Sequence, residues 1–361
     1  MCMIRVLVTG AGGIGGVNFI RAIKIARSDI FIVGTDYFKY HLEFINMDKK
    51  YKTPRHDSPE FIKVLNRIIE TENIEFLHPQ PEVEAEVIAK NKHRFKVKTY
   101  LPRGEIFDIC RDKYLTALKL SNYDLAPRTY LYTEVDNMDD LLEELGGKAW
   151  IRVRRGAGGK LSLPVSSSKE VKYWIDLWVT KGRARYEDFI IQEYLPGRDF
   201  AWDSLWYHGK LVTSYARERL EYIFPHVSPS RITGTPVVSR IVVDPRINDV
   251  AVKAVKAVDG KPHGFYCLDL KEGANGKIYV TEINLKAHTT LPLWSYIATR
   301  IFKMPEWGNI AYLYLKLGLG EEVDLESIPK FDIYPKVTML RHIDVGVWIL
   351  YEDKNTKIKV L

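Results

Sequence analysis

Trp150-Ile151-Arg152-Val153-Arg154-Arg155-Gly156-Ala157-Gly158-Gly159-Lys160 is a strand that delivers cations and then gives way to a glycine loop. Backbone N–H groups of such a loop can wrap phosphate oxygens, and a strand-borne guanidinium can neutralise them. Alone, the segment reads equally well as a basic surface hairpin. Downstream, Ile190-Ile191-Gln192-Glu193-Tyr194-Leu195-Pro196-Gly197-Arg198-Asp199 is a strand running into a turn. Its acids can accept hydrogen bonds from an adenine amino group or from ribose hydroxyls. Tyr266-Cys267-Leu268-Asp269 and Tyr279-Val280-Thr281-Glu282-Ile283-Asn284 are two further strands, each with an acid at or near its end. Glu282 and Asn284 are two apart and so share a face. With Asp269 they make a hard-oxygen set suited to Mg²⁺.

Upstream of these segments, strand and helix alternate. Ile4-Arg5-Val6-Leu7-Val8 reads as a buried strand, a helix follows over Val17 to Ala26, and Phe31 to Gly34 is a second strand closed by Asp36. Ser58-Pro59 opens a helix through Ile69, and Glu75-Phe76-Leu77 is a strand ending at His78-Pro79. This order implies a parallel, doubly wound α/β sheet. His78, Gln80 and Glu82 follow a strand's carboxyl end, where open α/β sheets bind ligands, and are candidate substrate contacts. The turn Gly10-Ala11-Gly12-Gly13-Ile14-Gly15-Gly16 has dinucleotide-binding spacing, and Asp36 is placed to hold a ribose. An NAD(P)-dependent oxidoreductase is therefore an alternative reading. Against it, the one Tyr-x-x-x-Lys match that a short-chain reductase would need, Tyr312 to Lys316, lies far downstream in an apolar, helix-like stretch.

The order of these motifs resembles the ATP-grasp superfamily, nearest to its carbamoyl-phosphate-synthetase-like members, over roughly residues 1 to 300. The resemblance implies a Rossmann-like pre-ATP-grasp domain over 1–104, then a two-lobed α+β ATP-grasp fold. Its lid subdomain would span 105–190, and its carboxy-terminal subdomain, with the metal site, 191–361. A glycine turn with no bound dinucleotide is then expected. The resemblance also implies roles. Lys113, in Arg111-Asp112-Lys113, and Arg152 would contact ATP phosphates under the mobile loop of Gly156, Gly158 and Gly159. Glu193, Tyr194 and Leu195 would clamp adenine, and Asp199 would hold the ribose. Asp269, Glu282 and Asn284 would bind Mg²⁺, with Mn²⁺ as a substitute. Where many members read Glu-x-Asn-Pro-Arg, this chain has Glu282-Ile283-Asn284-Leu285-Lys286, which keeps the charge and loses the bidentate fork. Lys286, with Arg217 and Arg219 on the strand Tyr215-Ala216-Arg217-Glu218-Arg219, would act on the reacting groups. Arg231 and His288 are further candidates. The implied activity is an ATP-dependent carboxylate–amine ligase acting on small molecules. A nucleotide-binding protein without catalysis is a third reading.

Composition is the ordinary balance of a globular protein. The 361 residues are 46% apolar and 27% charged, and 53 basic against 46 acidic residues give +7. The basic residues are dispersed among acids, which argues against a nucleic-acid partner. No apolar run is long enough to span a bilayer, so no membrane partner is expected. The amino terminus enters a strand at once, which points to the cytoplasm. Cys2, Cys110 and Cys267 are odd in number and have no CxxC spacing, so neither a disulfide framework nor a thiolate zinc site is expected. A homodimer is compatible with the sequence. Beyond Leu319 only Val337 to Leu350 is assigned, as strand padding a sheet.

Overall fold

The structure is a computed structural model that describes residues 3–156, 158–343, 346–351, 353 and 356–361. Cys2 and Ala157 lie outside the described residues. The chain opens with the expected parallel sheet, whose strands are β1 (Arg5–Thr9), β2 (Phe31–Asp36), β3 (Lys49–Lys52) and β4 (Phe76–Pro79) in the order β3-β2-β1-β4. Helices α1 (Ile14–Ala26), α2 (Phe61–Thr71) and α3 (Glu82–Lys90) connect or follow these strands. α2 buries Phe61, Leu65, Ile68 and Ile69 on one stripe, against Leu7, Val33 and Leu77 of the sheet.

The glycine turn before α1 is filled by the chain itself. A Cβ at Gly10 would meet Pro81, one at Gly12 the carbonyl of His41, and one at Gly15 the amide of Gln80. The glycines thus permit close packing where a pyrophosphate would otherwise approach. Asp36 spends Oδ1 on Phe38 N at 2.9 Å and lies beside His41. The feature that suggested a dinucleotide is therefore a packing turn. His78, Gln80 and Glu82 are likewise structural. His78 is buried, stacked on Phe19 at 3.6 Å between centroids, and burial pushes its imidazole down to about 3. Gln80 Nε2 donates to the carbonyl of Ala287, and Glu82 accepts from Leu285 N.

Next come α4 (Gly104–Cys110) and α5 (Lys113–Ser121), the latter capped by Asp112, whose side chain accepts from Tyr114 N and Leu115 N. These helices pack with α3, with α8 (Pro245–Val258) and with the large sheet, in one core that includes Ile106, Phe107, Leu120 and Trp202. The lobe with a sheet and core of its own begins later than residue 105. It is the antiparallel sheet of β5 (Thr129–Leu131), β6 (Ala149–Val153), β7 (Leu163–Val165) and β8 (Phe189–Glu193), in the order β5-β8-β6-β7. α6 (Met138–Glu144) and α7 (Ser168–Thr180) cover it and close a separate core around Leu141, Ile151, Ile175 and Ile191.

The remainder builds an eight-stranded sheet, ordered β13-β12-β9-β10-β11-β14-β15-β16. Its strands are β9 (Asp199–Tyr207), β10 (Lys210–Tyr222), β11 (Pro236–Val242), β12 (Gly264–Glu272), β13 (Ile278–Asn284), β14 (Thr338–His342), β15 (Gly346–Tyr351) and β16 (Thr356–Lys359). One face buries Phe200, Trp202, Leu268 and Leu270 under α8. α9 (Leu291–Arg300) and α10 (Ile310–Leu319) return to pack on α1, and Asn18 and Asn309 tie the layers through hydrogen bonds to Thr289 O and Ala22 O. Tyr312 and Lys316 lie in α10, with Lys316 paired to Glu306, as a packing role requires. The carboxy-terminal strands extend the sheet beyond β11. No helix among the described residues is long and apolar enough to cross a membrane.

Candidate active site

The β12–β13 hairpin sets the register of the site. Asn275 Oδ1 accepts from Lys277 N in the turn, and Gly276 takes φ +73°. Asp269 then lies opposite Glu282, and Cys267 opposite Asn284. Asp269 is also paired with Ala201, and Cys267 with Asp203. On β10, Tyr215 faces Asp203 and Arg217 faces Ala201. Directly opposed residues share a face, and alternate residues along a strand keep it. One face of the large sheet therefore carries Glu282, Asn284, Asp269, Asp199, Asp203, Arg217 and Arg219. A bulge leaves Thr281 unpaired beside Glu282, where its hydroxyl donates to Asp269 O at 3.1 Å. Bulges re-aim side chains next to sites.

The lid closes on this face across a cleft of about 920 Å³. Arg152 of β6 reaches over the gap, with Nη2 2.8 Å from Glu282 Oε2 and Nη1 donating to Thr281 O. Lys113 also approaches Glu282, at 3.5 Å, and donates to Gly156 O at 2.8 Å. Burial lowers the Lys113 ammonium below its usual value, against the pull of Glu282. Arg154, which follows β6, binds the capping Asp112 at 2.8 Å, so the root of the glycine loop is fixed to α5. The loop itself meets the segment after β10. A Cβ on Gly234 would fall 2.7 Å from Gly158 Cα, and one on Gly159 would fall 2.8 Å from Ile232 O. Both glycines of the first pair have positive φ, so this contact depends on their missing side chains.

Arg152, Gly158, Gly159, Glu193, Tyr194, Leu195, Asp199, Arg217, Arg219, Asp269, Glu282, Asn284 and Lys286 all line the cleft, as do Arg231 and His288. Lys113 and Gly156 do not. Lys113 is 5% exposed, and its ammonium is engaged by Gly156 and Glu282. Arg219 is also engaged within the chain. It holds Asp199 at 3.0 Å and forms an ion pair with Asp269. Asp199 takes a second bond from Tyr222 Oη at 2.7 Å. Glu193 pairs with Arg128 at 3.1 Å, and Lys148 sits over the Tyr194 ring at 4.0 Å.

Sequence reasoning missed the polar cluster beneath the acids. Asp203 is fully buried and accepts from Tyr215 Oη at 2.6 Å, meets Arg217 Nε at 3.4 Å, and lies 2.5 Å from His288 Nδ1. Burial acts to raise its carboxyl, but His288 and Arg217 hold it well below the usual range. The signal was present in Ala201-Trp202-Asp203-Ser204-Leu205-Trp206, an acid in mid-strand among apolar neighbours. His288 Nε2 in turn faces Asn284 Nδ2 at 3.1 Å and Asp269 at 3.4 Å. Burial would raise Asp269 too, yet Arg219, His288 and Arg217 draw it down to about 2.

The donor chemistry fits a hard divalent cation. Asp269 and Glu282 offer carboxyl oxygens on paired strand positions, and Asn284 commits its amide nitrogen to His288, which leaves the amide oxygen. Asp203, Cys267 and His288 also bring ligand atoms within 4.8 Å of one another. That trio is a poorer metal set, because Asp203 is already engaged and burial raises the Cys267 thiol.

No family model matches the chain. It is 24% identical over 230 residues to a tyramine–L-glutamate ligase of Methanocaldococcus fervens, covering 63% of this chain and 64% of that protein, a little under two thirds of its length. The fold matches the biotin carboxylase domain of the Hydrogenobacter thermophilus 2-oxoglutarate carboxylase, solved with MgADP, ADP and bicarbonate. The TM-score is 0.69 at 15% identity, over 94% of this chain and 75% of that one. It also matches an L-amino acid ligase from Bacillus licheniformis, with TM-score 0.67 at 14% identity, over 93% and 78%. With a Rossmann-like sheet in front, a separate lid and an acid-bearing antiparallel sheet behind, the chain has the ATP-grasp fold.

Proposed function

We propose that the chain is an ATP- and Mg²⁺-dependent ligase that activates a carboxylate as an acyl phosphate and joins it to an amine. One observation carries the reading. Asp269 and Glu282 are register partners on one face of the large sheet, and Arg152 of the lid meets them across the cleft. The curated relative is named for one acid and one amine, and an acidic amino acid with an aromatic amine is the first pair to try.

Arg152 and the loop of Gly158 and Gly159 would cover the phosphates from the lid. The Glu193–Leu195 segment would hold the adenine, and Asp199 would meet the ribose. Asp269, Glu282 and the amide oxygen of Asn284 would hold Mg²⁺. When bound, the ion supplies charge neutralisation at the phosphates during transfer. Arg219 draws the Asp269 carboxyl down and holds both Asp269 and Asp199 in place. Lys286 lines the same cleft and supplies a cation for the transferring group. A carboxylate oxygen attacks the γ-phosphorus and ADP departs. The amine then attacks the acyl carbon, loses a proton and displaces inorganic phosphate. Positioning and fixed charge account for the catalysis.

The test is ADP release with panels of acids and amines. We expect release above background only when ATP, Mg²⁺, an acid and an amine are all present. Turnover supported by NAD⁺ or NADPH, or no stimulation by any pair, would contradict the reading.

A further inference from the structure

Three buried donors on the acid-bearing face of the large sheet have no partner among the described residues. Arg217 Nη1, Ser239 Oγ and Arg341 Nη2 are each shielded from solvent and make no hydrogen bond among the described residues. They stand on three neighbouring strands, β10, β11 and β14. Ser239 is opposite Arg219 on one side and Met339 on the other, and Arg341 is two residues past Met339. Strand alternation therefore puts Arg217, Ser239 and Arg341 on the same face of the sheet, the face that carries the acids. Arg217 is 1% exposed and Ser239 fully buried. Arg341 Nε donates to Pro236 O at 2.9 Å, and Pro236 lines the cleft, as Arg217 does.

The charges do not balance. Arg217 meets Asp203, whose carboxylate also serves His288 and Tyr215. Arg341 has no acidic partner among the described residues. Burial, and then the charge of Arg217, lower its guanidinium to about 10. Arg341 thus feels the like charge of Arg217 in a shielded place, with no carboxylate of its own among the described residues. An uncompensated buried cation is strongly unfavourable, and a ligand that brings the counter-charge offsets that cost.

We propose that Arg217, Ser239 and Arg341 form an oxyanion subsite for a second carboxylate of the acid substrate, remote from the one that is activated. The substrate class is then a dicarboxylate or an acidic amino acid. This rests on the ligase reading above. The alternative source of an oxyanion is phosphate. Strand order opposes it: Glu282, which faces Arg152 and the glycine loop, is on β13, five strands from β14, at roughly 5 Å per strand.

The test is calorimetric titration of the whole protein with glutarate, butyrate and inorganic phosphate, on wild type and on Arg341→Met. We expect wild type to bind glutarate at least tenfold more tightly than butyrate. We expect Arg341→Met to erase that preference. Phosphate should fail to displace glutarate. The variant should melt at or above the wild-type temperature, since Met removes an uncompensated charge while keeping the volume. Equal binding of glutarate and butyrate by wild type overturns the subsite, as does a preference that survives the substitution. Phosphate binding that Arg341→Met abolishes, without a glutarate preference, overturns the carboxylate assignment. A lower melting temperature with unchanged binding makes Arg341 structural and overturns the proposal. The titration needs no turnover. A protein that prefers glutarate and releases no ADP therefore keeps the subsite and loses the ligase reading, and active turnover without the preference does the reverse.

Discussion

Glu282→Gln is expected to lower ATP turnover by about a thousandfold, the order of effect seen when one charged group is removed from a transition-state clamp. Three features make this the most sensitive position. Glu282 is the register partner of Asp269, so the two carboxylates stand opposite each other across the hairpin. It is the acid on which Arg152 from the lid and Lys113 from α5 converge, at 2.8 Å and 3.5 Å. It also lines the cleft, so its loss is felt by whatever cation binds there. The amide keeps the shape, and the site face of β13 is open to the cleft, so the fold should survive. Steady-state ADP release and circular dichroism on the same sample check both halves. A variant within threefold of wild type would remove Glu282 from the metal and lid assignment.

The second large effect is on stability. Asp203→Asn should destabilise the protein by about 3–5 kcal/mol, the range for breaking one side of a buried pair. The loss comes from what is left behind, since Arg217 would stay buried without its counter-charge and His288 and Tyr215 would lose their carboxylate partner. The double variant Asp203→Asn with Arg217→Met should recover part of it, because the orphaned cation is then removed as well. The pH dependence has a definite sign. The folded-state carboxyl of Asp203 is held well below its ordinary value, so its contribution is present above about pH 4 and is lost as the pH falls further. The difference between wild type and Asp203→Asn should therefore narrow in acid. Denaturant titration across pH measures this. A constant difference, or one that widens in acid, would contradict the ionised-carboxylate account.

The legible parts of this chain were those fixed by short-range spacing. Glu282 and Asn284 are two apart on a strand, and Gly156 to Gly159 follow a strand of arginines, so their grouping is a matter of local geometry. The parallel order of β1, β2 and β4 followed from alternating strands and helices. Parts that depend on distant partners were not legible. α4 and α5 read as the start of the lid, yet their apolar faces find α8, more than a hundred residues on. His78, Gln80 and Glu82 sit where ligands often bind, but residues from Phe19 to Ala287 cover them. The Gly10–Gly16 turn misled for a physical reason. Glycine serves close chain packing as well as close phosphate approach, and only the positions of Pro81, Gln80 and His41 distinguish the two. Arg341 carried no local signal, because its meaning depends on a register across β10, β11 and β14.

The central claim is that the cleft between lid and sheet transfers the γ-phosphoryl group of ATP to a carboxylate before the amine attacks. Isotope transfer tests it most directly. The acid that turns over is labelled with ¹⁸O in its carboxylate, and the inorganic phosphate released is read by mass. An acyl phosphate requires one carboxylate oxygen to leave with the phosphate, so each product phosphate should carry one label. Unlabelled phosphate, formed while the acid is consumed, would contradict the account.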